Sequence, residues 1–241
     1  MLMSGWNVLV TGGASGIGKA CAERYRAEGA TVFVADLHPR SSDEIQLDVA
    51  DSGAWAALIE SLPPLDMVHL NAGITTPGRT LNDQPVAPLE DVTDEAYRAI
   101  LGVNLDGVFF GARAVLPGMV ERGSGHVLVT ASMAGLGGMP GDVAYTATKH
   151  AVVGLVKSLG ATLERGGNGG VCVSALCPGF VNTPLVADEA QEFIVAMGMP
   201  VIQPSQVAEA AVKAVEAKVN GSQWIVWGDT IRRHEPEALD L

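Results

Sequence analysis

Residues 7–36 confine the fold more than any other part of the chain, because they read as strand, glycine loop, helix and strand in immediate succession. The apolar run Asn7-Val8-Leu9-Val10 ends in Thr11-Gly12-Gly13-Ala14-Ser15-Gly16-Ile17-Gly18, a helical stretch runs from Lys19 to Glu28, and Gly29 stops it. Thr31-Val32-Phe33-Val34-Ala35 then forms a second strand. Two strands joined through a helix pair in parallel, since the crossover has to return over the face of the sheet. A glycine turn of this kind lets backbone N–H groups approach an anion closely at the positive end of a helix. The same glycines would also serve an ordinary tight strand-to-helix turn, so the residues that follow have to decide.

The second strand ends in Asp36, 18 residues after Gly18, where a dinucleotide-binding unit places the acid that accepts from ribose hydroxyls. A carboxylate there repels a 2′-phosphate. No basic residue lies in the glycine loop after Thr11, and Leu37 follows the acid, so NAD is expected over NADP. Arg40 could swing towards a phosphate, and the plainer role for Asp36 is a helix or turn cap.

The alternation continues. Ile45-Gln46-Leu47-Asp48-Val49 reads as a third strand, 52–61 as a short helix closed by Pro63-Pro64, and Asp66-Met67-Val68-His69-Leu70 as a fourth strand delivering Asn71-Ala72-Gly73. Residues 74–90 read as a long surface loop. Thr93 caps a helix expected to run to Arg122, and Asn104 interrupts its apolar pattern. An amide between Val103 and Leu105 has to find partners if buried; facing solvent or kinking the helix are the alternatives. His126 to Ala131 forms a fifth strand ending in Ser132, and a helix is expected over 142–164. A sixth strand, Val171 to Leu176, leads into Pro178-Gly179-Phe180-Val181-Asn182-Thr183-Pro184. Residues 188–199, with Phe193, Ile194 and Met197, suit either a substrate lid within 184–200 or a core helix. A helix over 206–219, a strand at 224–227 and a loose or partner-bound charged tail, 229–241, complete the chain. The expectation is a single-domain α/β protein, residues 1–241, with a doubly wound parallel sheet of about seven strands and helices on both faces.

Composition narrows the partners. Hydrophobic residues make up 48% and charged residues 17%, with 29 glycines, as suits buried strands joined by tight turns. A net charge of −12 without a basic cluster opposes nucleic acid and anionic lipid. Cys21, Cys172 and Cys177 form no Cys-x-x-Cys pair and read as core thiols of a reducing compartment, so a cytoplasmic location is the default. The first ten residues leave no room for a signal peptide, and no uninterrupted apolar run approaches the ~18 residues of a membrane span. The five histidines, at 38, 69, 126, 150 and 234, have no metal-ligand spacing and read as structural or exposed.

Chemistry is carried by Ala144-Tyr145-Thr146-Ala147-Thr148-Lys149, which places a phenol and an ammonium four residues apart on one helical face. Two unit charges ~4 Å apart interact by roughly 4 kcal/mol at an effective dielectric of ~20, enough to move a tyrosine pKa by up to about three units towards neutrality. A solvated tyrosine beside a surface lysine has the same sequence. Ser132, at a strand's carboxyl end, precedes Tyr145 by thirteen residues, and the apolar loop between them could wall a nonpolar substrate.

Thr11-Gly12-x-x-x-Gly16-x-Gly18, Asn71-Ala72-Gly73, Asn104, Ser132, Tyr145-x-x-x-Lys149 and Pro178-Gly179, in this order and over almost the whole chain, resemble the short-chain dehydrogenase/reductase family. The resemblance implies an NAD-dependent oxidoreductase acting on a secondary alcohol or ketone, with catalytic residues Asn104, Ser132, Tyr145 and Lys149. In that assignment Tyr145 is the acid/base, Ser132 holds the substrate oxygen, Lys149 binds the nicotinamide ribose and lowers the tyrosine pKa, and Asn104 holds a relay water. Gly12, Ser15, Gly16, Ile17 and Gly18 would take the phosphates, Asp36 the adenosine ribose, and Asp48 and Val49 the adenine. Asn71, Ala72 and Gly73 would border the cofactor, and Pro178, Gly179 and the Val181 to Thr183 segment would face the nicotinamide. The resemblance also implies a homodimer or homotetramer paired through the helices of Asn104 and Lys149. Two readings compete: an NADPH-dependent carbonyl reductase, and a nucleotide-sensing or scaffolding protein without the chemistry. The carboxyl end departs from the family pattern, with Trp227-Gly228-Asp229 where many members have Asp-Gly-Gly.

Overall fold

The computed structural model describes residues 1–76, 89–186 and 188–235. Its strands are β1 (Asn7–Thr11), β2 (Thr31–Asp36), β3 (Ile45–Gln46), β4 (Met67–Leu70), β5 (Gly125–Thr130), β6 (Val171–Pro178), β7 (Phe180–Val181), β8 (Val201–Ile202), β9 (Gln223–Trp227) and β10 (Thr230–Arg233). The helices are α1 (Gly16–Ala27), α2 (Ser52–Ser61), α3 (Asp94–Leu101), α4 (Gly107–Arg122), α5 (Val143–Arg165), α6 (Asp188–Ala196) and α7 (Pro204–Ala217).

Eight strands form the main sheet in the order β10-β9-β6-β5-β4-β1-β2-β3. Every pairing is parallel except β9 with β10. The chain moves outwards from β1 to β2 and β3 on one side, and β4 starts the other side. The crevice at the carboxyl ends of β1 and β4 is therefore the topological switch point, where ligands bind in open parallel sheets. Strands buried on both faces read as continuous apolar runs, and β4 and β6 are buried at every position.

Two core layers flank the sheet. One joins Val8, Val10, Leu128 and Leu176 to Tyr25 of α1 and to Val207, Ala211 and Val215 of α7. The other joins Leu9, Val68, Val127 and Val173 to Trp55 of α2, Val108 and Val115 of α4, and Val152 and Val156 of α5. Fully burying a side chain of Leu or Val size contributes about 1.5–3 kcal/mol, so either layer outweighs any single surface ion pair. Trp55, 1% exposed, also donates its indole N–H to the Val49 carbonyl at 3.0 Å.

Three expectations need correcting. The third strand stops at Gln46, because Asp48 turns the chain by accepting from the Ala50 N–H at 2.9 Å. The helix expected over 93–122 is broken by a π-helical turn, Gly102–Asp106, which carries Asn104. An 18-residue window within 94–122 has a mean hydropathy of 1.5, enough by length and composition to cross a membrane, but Asp106 and Arg113 interrupt the apolar run, in keeping with the expectation, and Ile100, Val108, Ala112, Val115 and Met119 are buried against the protein's own core. The tail is not loose from Asp229 onward, since Thr230–Arg233 pairs antiparallel with β9 and adds an eighth strand. Residues 77–88 of the expected surface loop, and 236–241 of the tail, lie outside the described residues.

Candidate active site

The glycine loop is set by contacts that exclude larger residues. Gly12 has φ +62, and a Cβ on it would lie 2.9 Å from the Ala72 Cα; one on Gly18 would lie 2.2 Å from the Gly12 carbonyl oxygen. The Thr11 hydroxyl accepts from the Asn71 and Ala72 N–H groups at 3.0 and 3.2 Å, and the Asn71 amide donates to the Thr11 and Gly12 carbonyls. Asp51, Thr93 and Asp142 cap α2, α3 and α5 with their side chains, whereas Ser15 makes no such bond at the head of α1. The first-turn N–H groups of α1 thus lack the side-chain acceptor that α2, α3 and α5 have, and a close anion fits there. A Cβ on Gly16 would lie 3.1 Å from the Thr183 Cγ2, so the segment after Pro178 borders the same loop.

Asp36 sits at the end of β2 beside the loop. Its carboxylate accepts from the Ala14 N–H at 3.1 Å and the His38 N–H at 3.0 Å, so it caps a turn and also reaches the glycine loop. A cavity of 260 Å³ adjoins it, lined by Gly13, Ala14, Lys19, Arg40, Asp43 and Glu44 among others. Asp48 is exposed, while Val49 is buried against Gly107, where a Cβ would lie 2.8 Å from the Val49 Cγ2. Gly179 packs under Trp227, and its N–H donates to the Val226 carbonyl at 2.9 Å.

The four candidate catalytic residues converge at the carboxyl ends of β4 and β5. Lys149 is 3% exposed, donates to the Thr130 carbonyl at 2.9 Å, and lies 5.4 Å from the Tyr145 ring centroid. Asn104 is fully buried, accepting from the Ile74 N–H at 2.8 Å and donating to the Ile74 carbonyl at 2.9 Å and the Thr148 hydroxyl at 3.3 Å. The π turn gives that amide its inward direction. A Cβ on Gly73 would meet both the Asn104 Oδ1, at 3.4 Å, and the Lys149 Nζ, at 3.6 Å. Ser132 is buried at the head of a short 3₁₀ turn, where its Oγ accepts from the Ala134 N–H at 3.1 Å.

Electrostatics depart from the expectation for the pair. Burial pushes the Tyr145 phenol up to about 12; the Ser132 hydroxyl opposes that rise, and the Asp142 carboxylate and the Cys177 sulfur add to it. Burial pulls Lys149 down to about 8. The ammonium lies over the ring face and is bonded to Thr130, and desolvation sets the direction of the Tyr145 shift.

Two contributors escaped the sequence reading. Asp142, 6% exposed, accepts from the Tyr145 N–H at 3.0 Å and from the Thr76 N–H and hydroxyl at 3.0 and 2.5 Å. It ties the Tyr145 helix to the segment after Gly73, and an acid three residues before the tyrosine was its cap signal. Thr11, part of the Thr11-Gly12 motif but given no role there, holds the Asn71 turn through its hydroxyl. Among the described residues, no group of three or more His, Cys, Asp or Glu side chains is placed to hold a metal.

A helix start without a side-chain cap at the switch point, with a buried serine, lysine and asparagine and a half-buried tyrosine beside it, is the arrangement of a nucleotide-dependent oxidoreductase. A family model described as short chain dehydrogenase matches residues 6–193, and the chain belongs to that family. It is 36% identical over 196 residues to 2-(R)-hydroxypropyl-CoM dehydrogenase of Xanthobacter autotrophicus, covering 73% of this chain and 75% of the relative. A 3-oxoacyl-[acyl-carrier protein] reductase with bound NAD from Brucella melitensis superposes with a TM-score of 0.81 at 32% identity, covering 94% of this chain and 92% of that one. A protein from Beutenbergia cavernae, described as an NAD(P)-dependent gluconate 5-dehydrogenase with NADP bound at low occupancy, gives 0.78 at 29% identity, covering 93% and 95%.

Proposed function

We propose that this chain is an NAD-dependent enzyme that reversibly transfers a hydride between a secondary alcohol, hydrophobic or cyclic, and the nicotinamide, with Tyr145 as acid/base. The observation that carries the reading is the convergence of Tyr145, Lys149, Ser132 and Asn104 beside an α1 start without a side-chain cap.

Gly12, Ser15, Gly16, Ile17 and Gly18 would hold the pyrophosphate, and Asp36 the adenosine ribose. Asp48 and Val49 would hold the adenine, and Asn71, Ala72 and Gly73 would border the dinucleotide. Tyr145 and Lys149 would hold the nicotinamide ribose, and Pro178, Gly179, Val181 and Thr183 the carboxamide end. When bound, the nicotinamide supplies the hydride acceptor or donor. The Ser132 Oγ orients the substrate oxygen, and the Tyr145 Oη exchanges a proton with it. Because burial keeps Tyr145 protonated at neutral pH, the residues alone favour proton donation to a carbonyl. Alcohol oxidation needs positive charge beside the phenol, and Lys149 is the chain's own source. Asn104, bonded to Ile74, keeps the floor of the site in place and would hold a relay water.

Two surfaces bear on substrate and assembly. Phe193 and Met197 of the 184–200 segment are 52% and 60% exposed, which suits a lid over an apolar alcohol. Phe109 is 45% exposed and Arg113 lies 5.5 and 5.0 Å from the Phe109 and Phe110 rings, a face suited to a homodimer or homotetramer through α4. NADP is the second reading, favoured by Lys19 and Arg40 lining the cavity beside Gly13.

The test is Tyr145→Phe. Turnover of a cyclic-alcohol panel should fall by about 10²–10⁴-fold while NADH binding is retained. Retained turnover removes the role of Tyr145, and tighter binding of NADPH than NADH removes that of Asp36.

A further inference from the structure

A buried hydrogen-bonded chain runs from α1 through the sheet to the glycine loop, and the roles assigned above do not include its centre. His69 of β4 is fully buried between Tyr25 and Thr130, with the Tyr25 Oη 2.9 Å from Nδ1 and the Thr130 Oγ1 2.9 Å from Nε2. The Thr130 Oγ1 donates to the Asn71 Oδ1 at 2.9 Å, and the Asn71 Nδ2 donates to the Thr11 and Gly12 carbonyls at 3.0 and 3.2 Å.

The direction of every bond follows from the loop end. Two carbonyl acceptors require the Asn71 NH₂ to face the loop, which leaves its oxygen for Thr130. Thr130 has one proton and gives it to that oxygen, so it accepts from His69. The imidazole proton is thereby on Nε2, and Nδ1 accepts from the Tyr25 hydroxyl. Burial lowers the His69 pKa to about 3, so the ring stays neutral and keeps an acceptor for Tyr25.

Asn71 is wedged at the far end. A Cβ on Gly18 would lie 2.6 Å from the Asn71 Nδ2, so the amide fills the gap between Gly12 and Gly18. The Thr130 carbonyl also takes the Lys149 Nζ, so one threonine serves both halves of the site.

We propose that His69 is a positioning residue for the glycine loop: by orienting the Thr130 hydroxyl towards Asn71, it holds the loop in the form that receives a dinucleotide phosphate. Its effect on nucleotide binding rests on the function proposed above, whereas its effect on the loop does not. The Thr130 bond does the positioning, and the Tyr25 bond only satisfies the ring's other nitrogen.

Hydrogen exchange of the free full-length chain separates these bonds. The Gly13 and Ala14 amides, bonded to the Ala35 carbonyl and the Asp36 carboxylate, report the loop, and β6 reports the rest of the sheet. His69→Gln keeps a donor near Nε2, His69→Asn keeps an acceptor near Nδ1 but is too short to donate to Thr130, and Tyr25→Phe removes the outer bond together with the Tyr25–Cys21 contact. His69→Asn should speed loop exchange by about tenfold with β6 unchanged, while His69→Gln and Tyr25→Phe stay within about threefold of wild type. NADH affinity should fall by about the same tenfold in His69→Asn and return in His69→Gln. Equal loop exchange in the Asn and Gln variants overturns the proposal, as does acceleration spread evenly over the loop and β6. Wild-type chain that fails to bind NADH overturns the proposed function instead, and the exchange comparison still decides the role of His69.

Discussion

The two sides of the crevice are built by different means. Around β4 and β5 the polar side chains are buried and bonded in fixed directions: Asn104, Ser132, Thr148 and Lys149 are 0%, 8%, 1% and 3% exposed, and each has a named partner. Opposite them, residues 182–186 and 188–200 hang between two-residue strands, β7 and β8, and α6 is anchored by Ala190 and Ile194 while Phe193, Val195 and Met197 are 52%, 59% and 60% exposed. Proton transfer depends on direction, which an over-determined network supplies. Recognition of an apolar group depends mainly on contact area, which a lightly anchored helix can offer and adjust.

If this division holds, substitutions on the bonded side should disable chemistry, and those on the excursion should only shift selectivity. Lys149→Met should lower turnover by about 10²–10⁴-fold, read in steady-state kinetics, because it removes the cation nearest Tyr145 and leaves the Thr130 carbonyl unpaired. A Lys149→Met enzyme within about threefold of wild type would break the comparison on its bonded side.

Acid stability sharpens the same contrast. Burial holds His69 near 3 and His126 near 4, against 6.5 when unfolded, so both are neutral in the folded chain. The stability they contribute is complete above 6.5 and is lost as pH falls from there through 4 towards 3, because the unfolded chain binds the protons first. Denaturant titrations should show about 2–3 kcal/mol lost per pH unit from these two groups over the upper part of that window. His69→Gln should remove about half of that slope.

Asp36→Asn is expected to narrow the preference for NADH over NADPH by about tenfold, measured by direct binding, because it removes the charge that repels a 2′-phosphate. The smallest effect belongs to the excursion. The double variant Phe193→Ala/Met197→Ala should leave stability within about 0.5 kcal/mol, since both side chains are exposed, while raising KM for apolar alcohols a few-fold. Loss of several kcal/mol there would place α6 in the core after all.

What could be read from the sequence divides along similar lines. The strand and helix alternation was legible because its period is local, and α2 falls at 52–61 as its spacing indicates. Tyr145 and Lys149 were legible for the same reason, one turn apart on α5. Their surroundings were not, because the decisive partners are distant in sequence: Asp142 with Thr76, Asn104 with Ile74, and His69 with Tyr25 and Thr130. The direction of the Tyr145 shift was misjudged because spacing reports the nearness of a charge but not the burial that opposes it. Strand β10 was missed because an edge strand with Arg232 and Arg233 needs no apolar run, only a partner in β9.

The central claim is that the bonded side carries out hydride transfer between a nicotinamide and a carbonyl carbon, with Tyr145 supplying the proton. Single-turnover reaction of NADH deuterated at both nicotinamide C4 positions with a panel of cyclic and aliphatic ketones tests it most directly. The account predicts one deuterium on the carbinol carbon of the product with wild-type chain and, over the same reaction time, almost none with Tyr145→Phe, whose transfer is about 10²–10⁴-fold slower although both bind NADH. Bound NADH that delivers no deuterium to any ketone, or equal transfer by the phenylalanine variant, would contradict it.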